Sequence, residues 1–144
     1  MNVNNFTIKA QEAIQNAMEI ATAKQNQSIE PSHLLKGMLL VDENVVPYLL
    51  RKLNVNQNRL SNGIDKLIDS FPKVVGGQQY FSSSANQALQ KATELASEFK
   101  DDFISIEHLL LGIIRLNDIA SRLLENSGIT EGDLRTAIKQ LRKG

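Results

Sequence analysis

Only two side chains in this sequence ordinarily titrate near neutrality, His33 and His108. They stand 75 residues apart in almost the same words, HLLKG and HLLLG. An imidazole at such a place can act as a general acid or base, or bind a metal, and either use needs partners. A metal site would call for further imidazoles, thiolates or grouped carboxylates, yet the chain has no cysteine and no third histidine. No GxSxG elbow presents a serine nucleophile. The one adjacent glycine pair, Gly76-Gly77, runs into QQYFSS and not into the Gly-Lys-Ser/Thr of a phosphate loop. Catalytic, cofactor-binding and metal-binding residues are therefore all expected to be none, and a stand-alone enzyme is the weakest reading. The symmetric placement offers a plainer account. Each histidine opens a Leu-Leu-x-Gly helix, where its ring can bond backbone groups, pack beside an axis relating two copies, or line a groove.

The elements that carry the histidines are themselves written twice. At an offset of 75, residues 6–40 match residues 81–115 at twelve positions, from Phe6/Phe81 to Gly37/Gly112. Chance would give about two. After one deleted residue the match resumes at an offset of 74, with NVNQNRLSNGIDKL against GITEGDLRTAIKQL. Two copies are too few for a solenoid, which needs at least three stacked units. They read instead as a pseudo-twofold domain in which each half covers the apolar face of the other. Repeat one spans about 6–70, a linker 71–80 contains Pro72 and the glycine pair, and repeat two spans about 81–142.

Both halves carry helical periodicity. Phe6, Ala10, Ala13, Ile14, Ala17, Met18 and Ala21 recur at three and four, and alanines at matching places in both copies point to close helix approach. Pro31 suits the first turn of the next helix. Further helices are expected at 44–53, 57–70, from a capping-box-like SANQ (84–87) to Phe99, and at 106–116, 118–126 and 131–142, the last capped at TEGD. The expected fold is all-α, a duplicated four-helix repeat of about eight helices.

Sixteen basic and sixteen acidic residues cancel, and no Lys/Arg block appears, which argues against nucleic acid as a partner. The longest apolar run, HLLLGIIRL, is far short of the roughly 20 residues needed to span a bilayer, so no membrane partner is expected. The polar start MNVNNF lacks a signal pattern, and a cysteine-free chain suits a reducing cytoplasm.

The stretch DDFISIEHLL (101–110) supports two readings. In one, a polar turn leads to Phe103 and Ile104 stapling a Ser105-capped helix. In the other, Asp101 and Glu107 flank an exposed apolar rim that holds an extended, partly cationic peptide. The leucines at 89, 95, 109 and 110 divide the same way between core and rim. The basic residues near 139–143 read as a helix terminus favoured by its dipole.

Taken together, the duplicated half and the words NFTIKAQEAIQNAMEIA, IEPSHLLKGML, PKVVGG and DDFISIEHLLLGI resemble the N-terminal repeat domain of the Clp AAA+ chaperones, over essentially the whole chain. Among these the ClpB-type disaggregases resemble it best. The proteolytic ClpC/ClpA-type unfoldases, whose N domains dock adaptors and substrates, are the alternative; the ClpC type has Glu before the histidine in both copies, where this chain has Ser32 and Glu107. The resemblance implies a longer parent with ATPase modules that use ATP and Mg, a homohexamer, and cooperation with a DnaK-type chaperone. It also implies that this domain binds exposed hydrophobic stretches of unfolded or aggregated client proteins and passes them to the ATPase pore. By position it points to Thr7, Asp101 and Glu107, with Leu89, Leu95, Phe103 and His108 as groove lining. Thr7 has a competing role as a helix N-cap. Because copy two has Glu107 and Phe103 where copy one has Ser32 and Ser28, one asymmetric groove is expected.

Overall fold

The computed structural model describes residues 3–144; the first two residues of the polar N-terminal stretch lie outside it. Eight α-helices follow one another among the described residues, after a short 3-10 turn at Val3–Asn5: α1 (Ile8–Ala23), α2 (Pro31–Val41), α3 (Val45–Lys52), α4 (Gln57–Asp69), α5 (Ser83–Glu98), α6 (Ile106–Ile114), α7 (Ile119–Asn126) and α8 (Glu131–Lys143). The all-α duplicated fold is what the periodicity implied. Two details differ. The cap of α5 is Ser82, whose hydroxyl accepts from the Ala85 N–H at 3.0 Å, so the helix begins before SANQ. A pair of two-residue parallel strands, β1 (Ser28–Ile29) and β2 (Tyr80–Phe81), is too short to leave a period in the sequence.

Matching residues make matching local structure. Helices α1 and α5 both end on a left-handed residue, Gln25 and Lys100, each at φ 60°. The next amide then reaches back: Asn26 N–H to the Ala21 carbonyl at 2.8 Å, Asp101 N–H to Ala96 at 2.9 Å. The helices α3 and α7 end the same way on Asn54 and Gly128, two residue types that accept positive φ at least cost.

In each half the first two helices pack tightest, α1 on α2 and α5 on α6. The approach is set by a glycine against backbone. A Cβ on Gly37 would strike the Ala13 carbonyl oxygen, and one on Gly112 would lie 2.7 Å from the Ala88 oxygen. This is why the alanines recur.

The halves interlock. Strand β2 opens repeat two but pairs with β1 of repeat one, and Phe6 of repeat one pairs with Ile104 of repeat two through Thr7 N–H to Ile104 O (2.9 Å) and Ile104 N–H to Asn5 O (2.8 Å). Packing of α3 on α8 and α4 on α7 closes a single core containing Leu34, Leu49, Ile64, Leu95, Leu109 and Leu124. No helix among the described residues is long and apolar enough to cross a membrane.

Candidate functional site

The histidines belong to the fold. Both are fully buried at the third position of their helices. Nδ1 of His33 accepts from the Glu30 N–H at 2.8 Å, and Nδ1 of His108 accepts from the Ser105 N–H at 2.9 Å. In this capping geometry an imidazole stands where Glu or Gln ordinarily reaches back to the N-cap. Since Nδ1 accepts, the proton sits on Nε2, which donates to Asn26 Oδ1 (3.0 Å) in copy one and to Asp101 Oδ2 (2.8 Å) in copy two. Burial pushes His33 down to about 4. It also lowers His108, against the opposing pull of Asp101 and Glu107. Both rings are therefore neutral donors at physiological pH. No group of three or more potential metal ligands occurs among the described residues.

Copy two adds charge that copy one lacks. Asp101, Glu107 and Arg142 form one cluster, with Arg142 Nη2 at 2.9 Å from Asp101 Oδ2 and 3.3 Å from Glu107 Oε2. A second bond joins Nη1 to Asp101 Oδ1 at 3.3 Å, and the guanidinium lies 5.3 Å from the centre of the Phe99 ring. Burial alone would raise the Asp101 carboxyl, but Arg142 and then His108 hold it below the usual range. The equivalents of Asp101, Glu107 and Arg142 in copy one are Asn26, Ser32 and Ile68. Ser32 Oγ is buried without a hydrogen-bond partner among the described residues.

Of the residues singled out by sequence, four meet along one edge: Thr7, Asp101, Phe103 and Glu107. Thr7 caps α1, its hydroxyl accepting from the Ala10 N–H at 3.1 Å, while its own N–H ties it to Ile104. Phe103 is 56% exposed, so it is no staple; Ile104 alone turns inward. Leu89, Leu95 and His108, expected as groove lining, are corrected by their burial. They lie on the inner faces of α5 and α6, where α5 presents leucine and alanine to the core, and offer no surface. Arg142 stands in the last turn of α8 as expected, and specific ion pairs to Asp101 and Glu107 hold it there in addition.

Two surface residues were missed. Ile8 in the first turn of α1 is 75% exposed, and Leu40 near the end of α2 is 58% exposed. Lys9 Nζ donates to the Val41 carbonyl at 3.0 Å, which sets the end of α2 beside the start of α1. Ile8 and Phe103 thus flank the Thr7–Ile104 bridge in sequence, and Leu40 lies in the last turn of α2, whose end is beside the start of α1. Their equivalents in the other copy are Ser83, Arg115 and Ser28. These three exposed apolar residues therefore have no apolar counterpart in the other copy. The signal was present in the repeat alignment, as apolar residues opposite polar ones, but it needed exposure to be told from core.

The family model of the Clp repeat (R) N-terminal domain matches residues 5–127 and again 81–143. The chain is 45% identical over 144 residues to the chaperone protein ClpB of Bacteroides thetaiotaomicron and 43% identical to that of Porphyromonas gingivalis. All of this chain is covered in both cases, and it spans 17% of the length of each relative. The crystal structure of the Hsp104 N-terminal domain from Candida albicans superposes with a TM-score of 0.84 at 21% identity, covering 96% of this chain and 91% of that one.

Proposed function

The chain belongs to the Clp repeat (R) N-terminal domain family, and from that premise we propose that it is the client-recognition domain of a ClpB-type disaggregase. In this reading it meets exposed hydrophobic stretches of unfolded or aggregated proteins and hands them to the pore of the parent's ATPase modules. Those modules carry ATP and Mg; the parent is a cytoplasmic homohexamer working with a DnaK-type chaperone. The observation that supports recognition at this edge is the exposure of Ile8, Leu40 and Phe103, each standing where the other copy has a serine or an arginine.

Three exposed apolar anchors suit a client that is extended and varied in sequence. Each side chain buried contributes about 1.5–3 kcal/mol before the client's ordering entropy is subtracted. Single-domain dissociation constants of roughly 10 μM to 1 mM follow, about −7 to −4 kcal/mol. Six tethered copies would raise the effective affinity without any new contact.

The test is an NMR titration of the labelled domain with an unfolded, aggregation-prone polypeptide. Shifts are expected at Thr7, Ile8, Leu40, Asp101, Phe103 and Glu107, with Ser28, Ser83 and Arg115 unmoved. Phe103→Ser is expected to weaken binding about tenfold, the effect of losing one aromatic anchor. Silence at millimolar client, together with tight binding of a folded adaptor, would assign the domain to the adaptor-docking branch instead.

A further inference from the structure

The connection between α5 and α6, residues 99–105, presents Phe103 and is gripped from two sides. In front, its Ile104 exchanges two backbone hydrogen bonds with Asn5 and Thr7. Behind, Arg142 in the last turn of α8 spans it: one guanidinium takes Asp101 through two nitrogens, reaches Glu107 and stacks over Phe99. His108 adds a third hold, donating to Asp101 and accepting from Ser105. The matching connection of repeat one, residues 24–30, is secured differently. There Asn26 Nδ2 donates to the Pro72 carbonyl at 3.1 Å, and backbone bonds from Val74, Tyr80 and Ser82 run along the segment. The place of Arg142 is taken by Ile68, which is buried.

We infer that Arg142 is a positioning residue for the Phe103 surface, clamping the 99–107 segment from the end of α8 so that Phe103 is offered in one conformation. Planarity matters here, because a guanidinium can engage Asp101 with two nitrogens while lying on an aromatic face, whereas an ammonium cannot. The inference rests on the reading that Phe103 meets clients, but its first test does not need a client. The clamp is electrostatic and a third of the Arg142 side chain is exposed, so salt weakens it while the core is untouched.

The experiment is amide hydrogen exchange on the 144-residue chain and on Arg142→Met and Arg142→Lys, read at three amides that bond across the clamped segment: Thr7, Ile104 and Ser105. The amides of Ser82 and Glu30, which bond to the Ile29 carbonyl and to His33 Nδ1 as Thr7 and Ser105 bond to Ile104 and His108, serve as the internal reference. Arg142→Met is expected to speed exchange about tenfold at the first three and to leave the other two unchanged, since local opening follows local contacts. Arg142→Lys is expected to fall between. Adding 0.5 M salt (about a 4 Å screening length) is expected to move the wild-type chain towards Arg142→Met and to leave that variant unmoved. Unchanged exchange in Arg142→Met would overturn the inference, and so would equal acceleration at all five amides, which would make Arg142 a general support of the fold. Client titration of the same variants separates the two proposals. Local loosening with weakened binding supports both; local loosening with unchanged binding supports the clamp and removes the client role from Phe103.

Discussion

His33 shows how a residue with catalytic credentials becomes structural. Both ring nitrogens are bonded inside the protein and the ring is buried, so a proton can be added only by breaking the Nδ1 bond to Glu30. Its pKa is about 4 in the folded chain and near 6.5 in the unfolded one. Because the folded value is depressed, both states are neutral above pH 7, and only the unfolded chain gains the proton between pH 6.5 and 4. Stability must therefore fall as pH drops through that window, by about 3 kcal/mol from this residue at most. His108 acts in the same direction. The carboxylates held low by arginines, Asp101 and Glu131, begin to contribute only below about 4.5, their ordinary range. Urea unfolding followed from pH 8 to pH 4.5 checks this. A midpoint that stays level over that range would mean that the buried rings accept protons without loss.

At the level of elements, the helix pairs α1/α2 and α5/α6 are held at contact distance by Gly37 and Gly112. A Cβ at Gly37 would meet the Ala13 oxygen and lie 3.2 Å from the Ala17 nitrogen; at Gly112 the corresponding Ala88 oxygen and Ala92 nitrogen lie at 2.7 and 3.1 Å. These are main-chain atoms, which cannot rotate away, so the helices would have to part. Gly37→Ala and Gly112→Ala are each expected to cost about 1–3 kcal/mol, the range for overpacking. Gly132 in the first turn of α8 has nothing within 4 Å of its would-be Cβ. There the same change is expected to stabilise by about 0.5–1 kcal/mol through helix propensity and reduced freedom of the unfolded chain. Thermal melting of the three variants gives the signs directly. A stabilised Gly37→Ala would show that the helix pair is looser than its packing implies.

For the molecule as a whole, duplication has produced interdependence. Each repeat begins with a segment that bonds to the other repeat, Phe6 to Ile104 and Tyr80–Phe81 to Ser28–Ile29, and the two share one core. A separated half would expose the faces that α3, α4, α7 and α8 now cover, and a chain of about 70 residues has little core to spare. Fragments 1–72 and 73–144 are therefore each expected to lack a cooperative melt, and an equimolar mixture to recover one, as followed by circular dichroism. A lone half with a dispersed NMR spectrum and its own transition would show two domains in place of one. The exposed apolar residues are likewise divided between the copies: Ile8 and Leu40 come from repeat one and Phe103 from repeat two, so neither copy holds all three.

The sequence by itself determined the helices, the duplication, the capping of α1 by Thr7 and α8 by Thr130, and the place of Pro31, because periodicity, caps and internal repetition are local and are written residue by residue. It also marked Phe103 and Glu107 as departures of one copy from the other. Only the tertiary structure decided which apolar residues face water. Leu89, Leu95 and Phe103 are alike as apolar residues in repeat two, yet Leu89 and Leu95 project from α5 into the shared core, while Phe103 sits on a connection whose neighbour Ile104 takes the inward position. Ile8 and Leu40 became part of the surface for the same reason, since exposure depends on what the other half covers. Arg142 was illegible as a partner of Asp101 because 41 residues separate them, and only the packing of α8 against the end of α5 brings the two charges together.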